Sequence, residues 1–110
     1  MKFHYKYKWN INVLEIGVAS GSSLLLWNDF FKKAKIYGID NGQDPRFEDC
    51  KVNVKPYERI CLIQANAYNE EVLRILPNFD IIIDDGPHTK ETQLNCLELY
   101  LPKLNRGGIL

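Results

Sequence analysis

Apolar runs of strand length alternate along the chain with stretches whose apolar residues recur every three or four positions. The runs at 13–16, 36–39, 60–63 and 79–83 are nearly continuous in apolar residues, the pattern of strands covered on both faces of a sheet. Between them, 24–31 and 72–76 read as helices, and 94–104 as a longer one with a stripe of Leu94, Leu97, Leu101 and Leu104. Strands alternating with helices predict an α/β fold with a parallel sheet and helices on both faces, here with about four strands and the start of a fifth. Ser22 or Ser23 is placed to cap the first helix and Thr89 the last, while Pro102 kinks or divides that last helix and 105–108 stop it. The stretch 41–59 is polar and holds Pro45 and Pro56, so it reads as a loop with at most a short or irregular helix.

Length changes this picture by limiting it. At 110 residues the chain holds one hydrophobic core, so 1–110 is read as a single domain. Basic and acidic side chains balance at 14 each, which leaves no overall field to draw the chain to nucleic acid or to a membrane surface. The longest apolar runs, 24–27 and 81–83, fall far short of the roughly 18 residues of a membrane span. No apolar stretch with a small-residue cleavage site opens the chain, and Cys50, Cys61 and Cys96 are odd in number with no C-x-x-C pair. Reduced thiols and a cytoplasmic location follow as expectations. Phe3, Tyr5, Tyr7 and Trp9 interleave with Lys2, His4, Lys6 and Lys8; without a basic face elsewhere, the segment is expected to pack its rings on the domain edge rather than to bind nucleic acid.

Three segments carry chemistry. In the first, Glu15-Ile16-Gly17-Val18-Ala19-Ser20-Gly21-Ser22 turns from a buried strand into a helix through small residues. Small residues let a ligand approach the backbone, and a helix start offers unpaired N–H groups to an anion. A dinucleotide fingerprint would need glycine where Ala19 and Ser22 stand, which weakens a nicotinamide-dependent oxidoreductase. The methyltransferase form, an acid followed by G-x-G-x-G, matches Glu15, Gly17 and Gly21 and differs only by the methyl of Ala19. The same residues also suit a tight turn that binds nothing. In the second segment, Asp40 ends the next strand about 20 residues on, where a carboxylate accepts hydrogen bonds from both hydroxyls of a ribose. After the third strand, Asn66 and Ala67 lie at the level of an adenine ring, with an ordinary polar turn as the equal alternative for Asn66. In the third segment, the strand 79–83 delivers Asp84, Asp85, Gly86 and His88 to the same sheet edge. Paired carboxylates suit a hard cation such as Mg2+, and a histidine accepts a proton near neutral pH, so the group describes hydroxyl activation. Asp84 is assigned with Glu15, Gly17, Ala19, Gly21, Ser22, Asp40, Asn66 and Ala67 to the cofactor side.

Taken together, these residues resemble the Rossmann-like class I methyltransferases related to macrocin and mycinamicin O-methyltransferases and to cephalosporin-hydroxylase-type proteins. The parts that carry the resemblance are Leu14-Glu15-Ile16-Gly17-Val18, Gly21-Ser22-Ser23-Leu24 with Trp27, Ala34 through Asp40, Ile82-Ile83-Asp84-Asp85-Gly86 with His88, and Leu101-Pro102-Lys103-Leu104 before Gly107-Gly108. The resemblance implies S-adenosylmethionine as cofactor, Asp85 as a magnesium ligand, His88 as general base on a sugar hydroxyl, and a small hydroxylated acceptor. Pro87 stands where the family often has serine. The family continues from the glycine pair through a fifth strand to an acidic pair that completes the metal site. Because this chain stops at Leu110, it is expected to be a truncated product, a fragment, or a protein completed by a partner or a homo-oligomer. A cofactor-binding or interaction module without chemistry is the rival reading.

Overall fold

A computed structural model of the chain describes residues 10–86 and 90–109, with the backbone alone for 106–109. His88, Thr89, Pro87 and the aromatic segment 1–9 lie outside the described residues. Five strands, β1 (Asn12–Ile16), β2 (Lys35–Asp40), β3 (Ile60–Gln64), β4 (Phe79–Asp84) and β5 (Leu104–Ile109), form one sheet in the order β3-β2-β1-β4-β5. Every neighbouring pair is parallel, with Val13 opposite Ile36 on one side and Ile81 on the other. Four helices connect them: α1 (Ser22–Phe30), α2 (Arg46–Val54), α3 (Glu70–Ile75) and α4 (Lys90–Tyr100). The fifth strand is thus complete enough to pair, Leu104 lying opposite Phe79 before the register slips and Ile109 meets Ile81.

Alternation along β1 explains why both faces are covered. Val13 points into a core with Leu24, Phe31, Ile36, Phe47 and Cys50, on the side of α1 and α2. Leu14 points the other way, into a core with Ile39, Phe79, Ile82, Cys96 and Tyr100, on the side of α3 and α4. Both residues are fully buried, as the apolar run predicts for a parallel sheet between two helical layers.

Two elements differ from the sequence expectation. The polar stretch after β2 contains a regular nine-residue helix, α2, which buries Phe47, Cys50 and Val54 at spacings of three and four. Pro45 is its N-cap residue and Glu48 and Asp49 stand in its first turn, so proline and acids begin this helix rather than prevent it. The last helix ends at Tyr100, with a 3-10 turn over Leu101–Lys103 containing Pro102, and Leu104 belongs to β5. Its leucine stripe is not the buried face: Leu94, Leu97 and Leu101 are about half exposed, while Cys96 and Tyr100, roughly a third of a turn round the helix, are buried.

Arg59 joins the layers below the sheet's ligand-facing end. Its guanidinium donates to the carbonyls of Phe31 (2.7 Å), Ala34 (2.9 Å) and Asn28 (2.6 Å). Carbonyls at the end of a helix lack intrahelical partners, and a cation there also meets the negative end of the helix dipole. Among the described residues no helix is long and apolar enough to cross a membrane.

Candidate functional site

In the order β3-β2-β1-β4-β5, chain connections leave β1 toward opposite edges of the sheet, and a crevice opens beyond the strand ends at such a switch point. The loop that follows β1 makes the first wall. Gly17 takes a left-handed conformation (φ +81°) and its N–H donates to the carbonyl of Ile39 (2.8 Å). A Cβ on Gly17 would stand 2.6 Å from the carbonyl oxygen of Asp85 and 2.8 Å from Cα of Gly86. Glycine is therefore needed because the loops leaving β1 and β4 lie backbone against backbone. Ala19 is also left-handed (φ +50°), an uncommon conformation for a residue with a side chain.

Asp40 ties this wall to the next. One carboxylate oxygen accepts from the Val18 N–H (3.0 Å) and the other from the Gly42 N–H (2.9 Å). The loop leaving β3 closes the far side: Ala65 N–H donates to the Asp40 carbonyl (2.9 Å), and the Asn66 side-chain oxygen accepts from the Tyr68 N–H (3.0 Å). Asn66 thus spends its carbonyl on its own turn and keeps its amide group for other partners. The resulting cleft has a volume of about 780 Å³. Six of the residues given a binding or catalytic role from the sequence line it, Gly17, Ala19, Asp40, Asn66, Ala67 and Asp85, and Gly86 lies with them.

Four others do not. Glu15 is only 2% exposed and sits under the loop, its carboxylate accepting from the indole N–H of Trp27 (2.9 Å). Burial pushes its carboxyl up to about 7, against the Trp27 hydrogen bond, and the charge of Asp85 pushes the same way as burial. Gly21, left-handed at the start of α1 (φ +88°), is small for a packing reason, since a Cβ there would meet the Cys50 sulfur at 2.8 Å. Ser22 is exposed, its hydroxyl 3.2 Å from that of Ser20. Asp84 does not line the cleft but bonds two residues that do: its Oδ1 accepts from the Gly86 N–H (3.1 Å) and the Tyr68 hydroxyl (3.5 Å). His88 lies outside the described residues, so its place relative to Asp85 is not part of this geometry.

Sequence reasoning did not reach several cleft residues: Asn41, Gln43, Asp44 and Arg46 beyond Asp40, Tyr68 after Ala67, and Thr92 on α4. Their signal was position alone, since each of the first five follows a site residue closely in the chain. Asp44 and Arg46 pair at the rim (2.7 Å), and the hydrogen bonds from Arg46 hold the Asp44 carboxyl below its ordinary range. With Asp40, Asp44 and Asp85 against one Arg46, the cleft lining is acidic and suits a ligand with positive charge. Magnesium fits this lining poorly. Among the described residues no three potential metal ligands gather, and of the two acids at the end of β4 Asp85 lines the cleft while Asp84 does not.

Residues 14–110 match the family model described as "Methyltransferase domain". The chain belongs to that family. The domain is 29% identical over 110 residues to the 8-demethyl-8-alpha-L-rhamnosyl tetracenomycin-C 2'-O-methyltransferase of Streptomyces olivaceus, covering 90% of this chain and 27% of that protein. It is also 29% identical over 110 residues to the mycinamicin VI 2''-O-methyltransferase of Micromonospora griseorubida, covering 90% of this chain and 26% of the relative. This methyltransferase domain therefore spans about a quarter of the length of these two relatives. In fold it resembles fibrillarin of Aeropyrum pernix, solved with natively bound S-adenosyl-L-methionine, with a TM-score of 0.79 at 20% identity over 94% of this chain and 46% of the other. The resemblance read from the sequence, to methyltransferases of the mycinamicin kind, agrees with the family match and the relatives, and the expected Rossmann-like fold agrees with the solved structure.

Proposed function

We propose that this domain binds S-adenosylmethionine in the cleft and transfers its methyl group to a hydroxyl oxygen of a small, sugar-containing acceptor. The observation that carries the reading is the strapped position of Asp40, whose two oxygens each keep a lone pair beside the Val18 and Gly42 N–H groups for ribose hydroxyls. Gly17 and Ala19 leave room at the β1 exit for the amino-acid end of the ligand, and the 65–68 loop offers Asn66 and Ala67 to the base. Asp85 and Asp44 complement the cationic charge. When bound, the cofactor supplies an electrophilic methyl on sulfur, so the chain's own work is alignment and proton removal. His88 is the proposed base, taking the acceptor's hydroxyl proton as its oxygen becomes the nucleophile. Among the described residues no group gathers to hold a metal, and none is given a part in this proposal.

A hydroxylated sugar acceptor is supported by the two relatives, both O-methyltransferases by name and the first named for a rhamnosyl substrate. A cytoplasmic location accords with the free thiols of Cys50, Cys61 and Cys96. Calorimetric titration with S-adenosylhomocysteine tests the cleft: binding is expected, and folded protein that gives neither heat nor thermal protection refutes it. Methyl transfer to a glycosylated acceptor by the whole protein, lost in His88→Ala with cofactor affinity kept, tests the chemistry. Cofactor binding without turnover on any hydroxylated acceptor would instead favour the binding-module reading.

A further inference from the structure

One fully buried polar side chain outside the cleft reaches its wall. Tyr100, the last residue of α4, is completely enclosed in the core with Ile39, Phe79 and Ile82. Its hydroxyl donates to the backbone carbonyl of Ala67, 33 residues earlier, in the loop that leaves β3. A buried phenol has to find such a partner, and the partner chosen is a peptide group whose neighbours 65–68 line the cleft. The rest of that loop is held mainly by its own turn, through Tyr68 N–H to Asn66 Oδ1 (3.0 Å) and Asn69 N–H to the Asn66 carbonyl (3.2 Å). Those two bonds set the loop's shape, and the Ala65 N–H to the Asp40 carbonyl (2.9 Å) fixes its start to β2. Tyr100 supplies a second fixed point two residues on, at Ala67, and the Tyr68 hydroxyl, 3.5 Å from Asp84, links the same loop to the exit of β4.

We propose that Tyr100 is a positioning residue for the nucleoside half of the ligand, acting through the Ala67 peptide to hold the 65–68 wall at its distance from Asp40 and Gly17. The inference rests on the cleft's being a cofactor site. Burial raises the Tyr100 phenol above its ordinary range, so it stays a donor at all physiological pH values. Nothing in this role requires Tyr100 to touch the ligand. Its effect falls on the ribose and base, and not on the amino-acid end, which lies at the β1 exit.

The test compares Tyr100→Phe with Leu99→Ala in the whole protein. Leu99 packs on the same core from the same helix without reaching the loop by a side-chain hydrogen bond, so it reports the cost of loosening α4 alone. Calorimetry with S-adenosylhomocysteine and with 5'-methylthioadenosine, which lacks the amino-acid end, is read beside hydrogen exchange of the 65–69 amides without ligand. Tyr100→Phe is expected to weaken both ligands by the same factor, about threefold to tenfold, the worth of one hydrogen bond. It should also speed exchange in 65–69, with Leu99→Ala changing neither. Unchanged affinities in Tyr100→Phe, unchanged exchange in the loop, or equal losses in Leu99→Ala would each overturn the inference. Wild-type protein that binds neither ligand would refute the cofactor reading itself, and fast loop exchange in Tyr100→Phe would still separate that failure from a failure of the tether.

Discussion

Replacing Gly17 by alanine loads the point where two cleft loops cross. The new methyl would lie 2.6 Å from the Asp85 carbonyl oxygen, 2.8 Å from its carbon and 2.8 Å from Cα of Gly86. All three obstacles are backbone, so no side chain can swing aside to make room. The left-handed φ of +81° adds about 1–2 kcal/mol of strain for any residue with a Cβ. Overpacking against fixed atoms adds about 1–3 kcal/mol, and the stiffer unfolded chain of alanine offsets about 0.4–1 kcal/mol of this. A total near 3 kcal/mol is expected, a large share of the stability of a small domain. Relief of the clash requires the β1 and β4 exits to part, which widens the cleft where the ligand's amino-acid end is proposed to lie. Urea unfolding should therefore show a lower midpoint with an unchanged slope, and calorimetry should show S-adenosylhomocysteine affinity reduced by at least a hundredfold. A variant with the wild-type midpoint and an affinity within twofold of wild type would refute the account of why glycine stands at 17.

Three further outcomes follow from other contacts. Arg59→Met removes charge-assisted donors from three carbonyls and should cost about 2–4 kcal/mol in urea unfolding, with cofactor affinity unchanged because the site lies away from the cleft; loss of affinity without loss of stability would contradict this. Asp40→Asn leaves an amide N–H₂ facing a backbone N–H and loses acceptors for ribose, so affinity for S-adenosylhomocysteine should fall about a hundredfold by calorimetry; near-normal affinity would remove Asp40 from the site. Glu15→Gln keeps an acceptor for Trp27 while deleting a carboxyl that burial pushes up from 4.5 to about 7. The fold favours the protonated acid, so its contribution is full below about pH 4.5 and is lost as pH rises through 7; the variant should gain on wild type by about 3 kcal/mol between pH 4.5 and pH 8 in chemical unfolding. A stability difference that does not move with pH would show that the carboxyl is already solvated.

Much of this arrangement could be read from the chain because parallel strands betray themselves. Buried on both faces, β1, β2 and β4 have no polar side to interrupt their apolar runs, and the residue after each run necessarily arrives at the ligand-facing edge. Asp40, Asn66 and Asp85 were expected at the cleft for that reason, and they line it. Where a residue lies away from the cleft, the deciding partner is often far off in sequence. Nothing near Glu15 says that an indole on the next helix will take its carboxylate, and nothing near Gly21 announces the Cys50 sulfur. Asp84 and Asp85 look like a pair when written side by side, but Asp84 still belongs to β4, whereas Asp85 has left the strand and faces the cleft. The helix α2 was obscured by sparse apolar residues between two prolines, and the buried face of α4 by a leucine stripe stronger on paper than Cys96 and Tyr100.

The central place of β1 also bears on how the chain acquires its structure. One flank of β1 is met early, by β2, but the other waits for β4, and the Asn12 N–H finds the Asp80 carboxylate across 68 residues of intervening chain. Until the ribosome has released that later strand, a ribbon destined for burial over four of its five residues carries a raw, unpaired border of amides and carbonyls. Closing so long a circuit is slow, and the nascent protein is most exposed to self-association, and most in need of chaperone shelter, during that interval.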